Sequence, residues 1–247
     1  MNLEGKVALV TGGSSGIGAE TVKLLAKNGC RVIVGYNQGT SRAKNLINSL
    51  PKSGHALAKI DLGNESSILE AELMVRQEYG KLDFLINSAG YTEPILHSDT
   101  SYLTSEKFNL IVNTNAGGTY SVIRAFIPVL SVPKFATKVN VSSVSAFTGS
   151  GSNIAYCAAK AAIDTMTISL ARVLGPKIRV LCVSPAAVDT GFVNGRSRKQ
   201  LEDIASKTPL QRVIEPQDIS LTILACLTHL KSSTGTKIIV DGGHHIK

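Results

Sequence analysis

The chain has 247 residues, of which 43% are hydrophobic and 18% are charged, and it contains 22 glycines. This apolar content is enough to build a packed core, so the composition excludes a disordered chain and fits one globular domain. The net charge of +8 is spread along the chain without a long basic run, and we therefore expect no nucleic-acid partner.

Neither a membrane span nor an export signal is expected. No segment reaches the roughly 18 uninterrupted apolar residues of a span, and residues 1–6 lack a basic segment followed by an apolar one. The cysteines, at Cys30, Cys157, Cys182 and Cys226, show no metal or disulfide spacing. We expect free thiols, no metal site, no membrane partner and a cytoplasmic location.

Short apolar runs alternate with segments of helical periodicity from the first residues onward. The predicted strands are 6–10, 31–35, 55–60, 82–86, 138–142, 178–183 and 237–240. The predicted helices are 16–27, 41–50, 65–79 with Asn64 as its N-cap, 104–130 closed by Pro128, 155–174, 195–206 and 216–229. Because parallel neighbours need a crossover, this order predicts an α/β fold. We expect a single Rossmann-type, doubly wound domain over 1–247, with a parallel sheet of about seven strands and helices on both faces.

A glycine-rich turn, Thr-Gly-Gly-Ser-Ser-Gly-Ile-Gly at 11–18, separates the first strand from the first helix. Glycines let the backbone approach a pyrophosphate, whose charge then meets the helix N-terminus. Many such turns are only loops, but this position favours a dinucleotide site. The candidate cofactor residues are Gly12, Ser14, Ser15, Gly16, Ile17 and Gly18.

The end of the second strand bears on which nicotinamide cofactor is used. An NAD site usually has a carboxylate here, whereas this chain has Gly-Tyr-Asn-Gln at 35–38. Tyr36 and Asn37 carry no negative charge that would repel a 2′-phosphate. Thr40, Ser41 and Arg42 could donate hydrogen bonds to such a phosphate. Arg42 could also be an ordinary solvated helix residue. The pattern favours NADP(H), with NAD(H) as the alternative.

Tyr156 and Lys160 lie four residues apart on one predicted helix, and hence on one face. A nearby ammonium favours the phenolate, so it lowers the pKa of the tyrosine toward a usable range. Ser143 follows the fifth strand, at the edge where ligands of open parallel sheets bind. Taken singly, such residues are common on solvated helices and in turns.

In order and spacing, the chain resembles the short-chain dehydrogenases/reductases over nearly its whole length. The matching residues are Thr11-Gly12, Gly16, Gly18, Asp61-Leu62, Asn87-Ser88-Ala89-Gly90, Asn115, Ser143, Tyr156, Lys160, Pro185, Thr190, Pro209-Leu210, Pro216-Gln217-Asp218 and Val240-Asp241-Gly242-Gly243.

The resemblance implies a set of roles. Tyr156 would donate the proton to the carbonyl oxygen, Lys160 would hold the nicotinamide ribose, and Ser143 would orient the carbonyl. Asn115 would hold a water that joins Lys160 to solvent. Asp61 would reach the adenine and Thr190 the carboxamide. The remaining cofactor-lining residues would be Leu62, Asn87, Ala89, Gly90, Pro185 and Val188.

Within the family, the chain is most similar to the 3-oxoacyl-acyl-carrier-protein reductase-like group, through Tyr36-Asn37 and the segment from Pro209 to Asp218. It departs at Ser15, where NADP-type members often carry a basic residue, and at Ser88, Ala186, Gln211 and Ile214.

The resemblance implies reduction of a carbonyl, a 3-oxoacyl thioester or similar ketone, with a homotetramer as the assembly. An alcohol or sugar dehydrogenase and a non-catalytic cofactor-binding regulator are the alternatives. Segment 191–207 would form the substrate lid, with Phe192 and Val193 as apolar contacts. A basic rim would suit acyl carrier protein as a partner, although these residues could equally be solvated. The rim would comprise Arg196, Arg198 and Lys199, with Lys134, Lys138 and Lys177 as additions.

Overall fold

The computed structural model describes residues 3–246. Its strands are β1 (Val7–Thr11), β2 (Arg31–Tyr36), β3 (Ala56–Lys59), β4 (Phe84–Asn87), β5 (Ala136–Val141), β6 (Ile178–Pro185) and β7 (Thr236–Val240). They form one parallel sheet in the order β3-β2-β1-β4-β5-β6-β7. The predicted α/β fold with seven parallel strands is confirmed.

The helices are α1 (Gly16–Lys27), α2 (Thr40–Asn48), α3 (Glu65–Tyr79), α4 (Ser105–Val112), α5 (Gly118–Leu130), α6 (Ser145–Thr148), α7 (Ile154–Leu174), α8 (Arg198–Ala205) and α9 (Pro216–Thr228). Asn64 caps α3 as predicted, because its side chain accepts a hydrogen bond from the Ser67 amide. A 3₁₀ turn covers His244–Ile246. That turn and α6 are too short to show helical periodicity in the sequence, and neither was predicted.

Both faces of the sheet are covered by helices. Val10 and its neighbour Leu9 are fully buried on opposite faces, as alternate strand residues must be. Val10 packs in a core with Ile223 of α9, whereas Leu9 packs in a second core with Phe126 of α5. Burying each of these side chains contributes about 1.5–3 kcal/mol.

The predicted helix over 104–130 is interrupted. Thr104 caps α4, but a π-helical turn at Asn113–Gly117 separates α4 from α5, and the Gly118 amide donates to the Asn113 carbonyl five residues earlier. Pro128 lies inside the last turn of α5, which continues to Leu130. Pro128 therefore does not end the helix.

One helix in residues 3–246, α7, is long and apolar enough to cross a membrane by length and composition alone. It packs against β6 and α4, and its Lys160 side chain donates to a main-chain carbonyl of β5. A helix that packs on the core of a domain passes the same test.

The strand order turns at the centre of the sheet, where β1 lies between β2 and β4. The connections after β1 and β4 leave toward opposite sides of the sheet, so a crevice opens at the carboxyl ends of these strands. The glycine-rich turn after β1 and residues 88–90 after β4 line this crevice.

Candidate active site

The glycine-rich turn is packed so closely that side chains would not fit. A β-carbon on Gly18 would lie 2.2 Å from the Gly12 carbonyl oxygen, and one on Gly12 would lie 2.9 Å from the Cα atom of Ala89. Gly12 also has a φ of 64°, which favours glycine. The turn therefore brings its backbone directly against the chain that follows β4.

Thr11 ties these two segments together. Its hydroxyl accepts hydrogen bonds from the amides of Ser88 and Ala89, each at 3.2 Å. Sequence reasoning included Thr11 in the motif but gave it no role. The only available signal was its place at the end of β1.

Helix α1 begins with its amide groups open toward the crevice. Ser15 makes no capping hydrogen bond, and the first turn contains no acidic residue. Ser14 is half-buried, and Ile17 packs against the core below the turn. The free amides and the positive end of the helix dipole can receive a pyrophosphate.

Two predicted cofactor residues, Ser14 of the glycine-rich turn and Arg42 of α2, meet beside the loop after β2. A β-carbon on Gly39 would lie 2.8 Å from Arg42 Nη2 and 2.8 Å from Ser14 Oγ, so both side chains flank the same backbone position. Tyr36 is half-buried and Asn37 is exposed. The arrangement combines a guanidinium and a hydroxyl, the donors that a 2′-phosphate needs.

Asp61 and Leu62 follow β3 at the same edge of the sheet. Asp61 Oδ1 accepts the Gly63 amide at 2.9 Å, which shapes the loop. Leu62 packs on α5, where a β-carbon on Gly118 would lie 2.6 Å from its own. The Leu62 side chain thus belongs to the core packing.

Asn87, at the end of β4, is buried, and its Nδ2 donates to Asn140 Oδ1 at 3.0 Å. Its Oδ1 has no hydrogen-bond partner within residues 3–246. A buried amide oxygen without a partner is costly and therefore fits a ligand that donates to it. Gly90, three residues later, lies against Asn115, since a β-carbon on Gly90 would be 2.7 Å from Asn115 Oδ1.

Asn115 occupies the π-helical turn, a feature frequent at functional sites. Its Nδ2 donates to the carbonyls of Tyr91 (2.7 Å) and Ile111 (2.8 Å), and its Oδ1 accepts the Tyr91 amide. Both side-chain donors are thus used within the protein. A water bound by this side chain or its backbone carbonyl must therefore donate to one of its oxygens, of which the main-chain carbonyl is one.

Ser143, Tyr156 and Lys160 meet beyond the carboxyl end of β5. Asn153 caps α7 by accepting the Tyr156 amide at 2.7 Å, which fixes the start of the helix that carries Tyr156 and Lys160. Lys160 Nζ lies 5.5 Å from the centre of the Tyr156 ring. Sequence reasoning missed Asn153, although an Asn just before a helical run is a capping signal.

The environment shifts the pKa values of both titrating side chains. The pKa of Tyr156 is raised by burial, opposite to the lowering expected from Lys160, while hydrogen bonding by Ser143 and the Arg196 guanidinium oppose that rise. Burial lowers the pKa of Lys160 to about 8. At neutral pH the phenol is therefore protonated and the ammonium retains its charge.

The loop after β6 closes one side of the crevice. Pro185 ends β6, and Val188 is buried in a parallel bridge to Ile214. Thr190 approaches the glycine-rich turn, because a β-carbon on Gly16 would lie 3.1 Å from its methyl group. The loop therefore meets the turn after β1 across the crevice.

The lid segment continues with Phe192, whose ring centre lies 5.9 Å from that of Tyr156. This contact puts an apolar wall over the candidate catalytic side chain. The predicted basic rim is partly wrong. Lys134 and Lys177 lie just before β5 and β6, at the amino ends of these strands, and Lys138 is fully buried within β5. These three lysines are remote from the crevice mouth or hidden from it.

Comparison with known proteins then decides the family. Residues 12–245 match a family model described as Enoyl-(Acyl carrier protein) reductase. The chain belongs to the short-chain dehydrogenase/reductase family. It is an oxidoreductase of a family that binds nicotinamide cofactors.

Individual members of this family are similar over nearly the full length. The 3-oxoacyl-[acyl-carrier-protein] reductase FabG of Thermotoga maritima is 34% identical over 98% of this chain and 99% of its own. A ketoacyl reductase of the granaticin polyketide synthase from Streptomyces violaceoruber is 32% identical over 98% and 97%. A Burkholderia cenocepacia short chain dehydrogenase in complex with NADP superposes with a TM-score of 0.89 at 28% identity, covering 99% of both chains.

Proposed function

We propose that this chain is an NADP(H)-dependent reductase that converts a carbonyl, a 3-oxoacyl thioester or similar ketone, into an alcohol. The proposal depends on one observation above all. Ser143, Tyr156 and Lys160 converge at the carboxyl end of β5, next to the loops that line the crevice. The similarity to a 3-oxoacyl-[acyl-carrier-protein] reductase and to a ketoacyl reductase supports the substrate class.

The crevice fits a dinucleotide. The turn at Gly12 and Gly18 has no room for side chains, the first turn of α1 is uncapped, and Asn87 Oδ1 lacks a donor within residues 3–246. The residues that would hold the cofactor are Gly12, Ser14, Ser15, Gly16, Ile17, Gly18, Tyr36, Asn37, Arg42, Asp61, Leu62, Asn87, Ala89, Gly90, Tyr156, Lys160, Pro185, Val188 and Thr190. When bound, the nicotinamide supplies the hydride.

Tyr156 donates a proton to the carbonyl oxygen as negative charge develops there. Burial raises the pKa of Tyr156, so the phenol keeps its proton at neutral pH, as a proton donor for reduction requires. Ser143 donates a hydrogen bond to the same oxygen and stabilises its charge.

Lys160 supports this proton transfer electrostatically. Its Nζ uses one donor on the Val141 carbonyl and has two more for the ribose, while its charge favours the phenolate that forms. Asn115 holds a water through its main chain and thereby relays a proton toward Lys160.

NADP(H) is the proposed cofactor because Arg42 and Ser14 flank Gly39 and the end of β2 offers no carboxylate. NAD(H) is the alternative, because Arg42 is exposed and an exposed arginine can also be an ordinary solvated residue. Comparing NADPH with NADH distinguishes the two cofactors.

An acyl carrier protein is a second proposed partner, and a homotetramer in the cytoplasm is the proposed state. The four cysteines are free and buried, which suits a reducing compartment. Edge strand β7 has no neighbour on its outer side within residues 3–246, and Leu221 of α9 and Val173 of α7 are more than half exposed. Sedimentation at about the 26.1 kDa mass of one chain would refute the tetramer.

The test is NADPH oxidation at 340 nm, with NADH as control, against acetoacetyl-CoA, simple ketones, aldehydes and sugars. Tyr156→Phe should reduce turnover about 10²–10⁴-fold, as expected for loss of a general acid. Tyr120→Phe, on the exposed surface of α5, should leave turnover unchanged.

The outcomes separate the candidates. Turnover of acetoacetyl-CoA supports the thioester substrate, and turnover of sugars alone supports the dehydrogenase alternative. Full activity of Tyr156→Phe contradicts the proposed acid. Cofactor binding without turnover of any carbonyl favours the non-catalytic regulator, against which the presence of both Tyr156 and Lys160 argues.

A further inference from the structure

The two arginines of the lid segment have different electrostatic surroundings. Arg198 forms ion pairs with Asp189, Glu202 at 3.2 Å and Glu215 at 2.7 Å. Its charge is thereby matched by three carboxylates, and it fastens the start of α8 to the loops after β6 and before α9. Arg198 is therefore a structural clamp with little charge left for a ligand.

Arg196 has no such partners. It is half-buried, and no carboxylate within residues 3–246 forms an ion pair or a side-chain hydrogen bond with it. Its main-chain amide donates to the Val193 carbonyl at 3.3 Å, so it ends a turn that begins immediately after Phe192. A guanidinium that has lost part of its hydration without gaining a counter-charge is unfavourable in the free protein.

The turn that carries Arg196 covers the catalytic side of the crevice. The Phe192 ring lies against Tyr156 at 5.9 Å between centres, and a β-carbon on Gly90 would lie 3.7 Å from Phe192 Cζ. Burial lowers the pKa of Arg196 and raises that of Tyr156, and the interaction between these two side chains opposes both shifts. Arg196 follows Phe192 by four residues in the same turn, so the unpaired positive charge of the lid belongs to the segment that covers the catalytic side of the crevice.

We propose that Arg196 binds an anionic group of the substrate, a carboxylate or a phosphate, and so selects carbonyl compounds that carry a negative charge. This inference rests on the proposed function, because it assigns a specificity residue to the proposed site. A guanidinium binds carboxylate and phosphate in the same bidentate geometry. The source of the charge, an oxo acid or a phosphorylated thioester, is for the experiment to distinguish.

The first measurement is binding, which does not depend on turnover. The affinity of the NADP⁺-saturated protein for 4-oxopentanoate and for its neutral amide is measured by isothermal titration calorimetry. We expect tighter binding of the acid, and Arg196→Gln should weaken it about 10- to 100-fold, the range of one charge-assisted hydrogen bond. The amide should bind equally to both proteins. Lys207→Gln, which removes an exposed charge at the end of the same segment but outside the predicted rim, should bind the acid like the wild type.

Equal affinity of the wild type for acid and amide, no measurable binding of the acid, or unchanged binding by Arg196→Gln would each overturn the proposal. Melting temperatures check that the variants are folded, and Arg196→Lys should recover part of the affinity because it restores the charge without the planar fork.

Turnover then identifies the source of the anion. Acetoacetyl-CoA carries phosphates, whereas acetoacetyl-N-acetylcysteamine is a neutral thioester. A selective loss of kcat/KM by Arg196→Gln for the CoA thioester supports a phosphate source, and a selective loss for acetoacetate supports a carboxylate. If none of these compounds is reduced but the acid still binds through Arg196, the proposed reductase activity is refuted. The proposed anion site is then still supported.

Discussion

Lys160 Nζ lies 2.8 Å from the carbonyl oxygen of Val141, the last residue of β5. This hydrogen bond joins the carboxyl end of β5 to α7, which carries Tyr156 one turn before Lys160. The ammonium is therefore fixed in position below the phenol by the backbone rather than by a carboxylate. Its charge stays available to act on Tyr156.

The pH dependence of reduction should reflect this ammonium. Burial lowers the pKa of Lys160 to about 8, so the fraction that is charged decreases as the pH rises through that value. The support for phenolate formation is lost with it, and we expect kcat/KM for carbonyl reduction to fall above about pH 8. A rate profile from pH 6 to 10 at saturating NADPH measures this limb.

Cofactor choice should depend on Arg42. Arg42→Gln is expected to raise KM for NADPH about 10-fold or more, because one charge-assisted contact to phosphate is lost, while KM for NADH stays the same. Lys44→Gln, which removes a neighbouring exposed charge of α2, serves as the control. If both variants raise KM for NADPH equally, or if Arg42→Gln raises KM for both cofactors equally, Arg42 does not bind the 2′-phosphate.

Lys138 should destabilise the folded protein. Its Nζ is buried without a partner within residues 3–246, and burial lowers its pKa from 10.5 to about 7. Because the pKa in the folded state is below that of the unfolded chain, the unfolded state binds more protons between about pH 7 and 10.5. Stability therefore rises with pH over that window, and the full cost applies below about pH 7.

Lys138→Met should remove this cost, because replacing a buried charge by an apolar side chain of similar length is often stabilising. We expect the melting temperature to rise by about 5 °C or more near pH 6.5 and the gain to shrink toward pH 10. Lys177→Met, at an exposed position, should change little. A gain that does not vary with pH would contradict the assignment to Lys138.

Gln211 has a φ of 48°, in the left-handed region that costs a residue with a side chain about 1 kcal/mol or more. Gln211→Gly should therefore raise the free energy of unfolding by ~0.5–1 kcal/mol after the greater entropy of glycine in the unfolded chain is subtracted. Urea unfolding measures this change. Gln217→Gly, in the first turn of α9, should lower stability by a similar amount, so opposite signs are the expected result.

The parts of the fold that were predicted correctly have local causes. The helix over Gly16–Lys27 was predicted with the bounds that the structure has, because a glycine turn precedes it and its periodicity is clear. The predicted ends of every strand lie within two residues of the observed ends, since a buried parallel strand has a short apolar run as its sequence pattern. The approach of Thr190 to Gly16 was not predicted, because it joins residues far apart in sequence; the resemblance implied only a role for Thr190 at the carboxamide.

The features that were missed depend on distant contacts. The π-helical turn is held by hydrogen bonds between Asn115 and Tyr91, 24 residues apart, and no local pattern encodes them. Lys138 was expected at the surface because of its residue type, yet its strand is buried on both faces. The difference between Arg196 and Arg198 likewise follows from carboxylates supplied by other segments.

The extra residue in Asn113–Gly117 makes this stretch intolerant of changes in length. Each residue of an α-helix advances about 100° around the axis, so a one-residue deletion that restored regular helix would turn the apolar face of α5 away from the sheet or lift Asn115 off Tyr91. A loop such as 51–54, on the exposed surface between α2 and β3, does not set the rotation of a following helix, so a change in its length has no such effect. Among descendants of this chain, insertions and deletions should therefore accumulate in that loop and be rare between Val112 and Gly118.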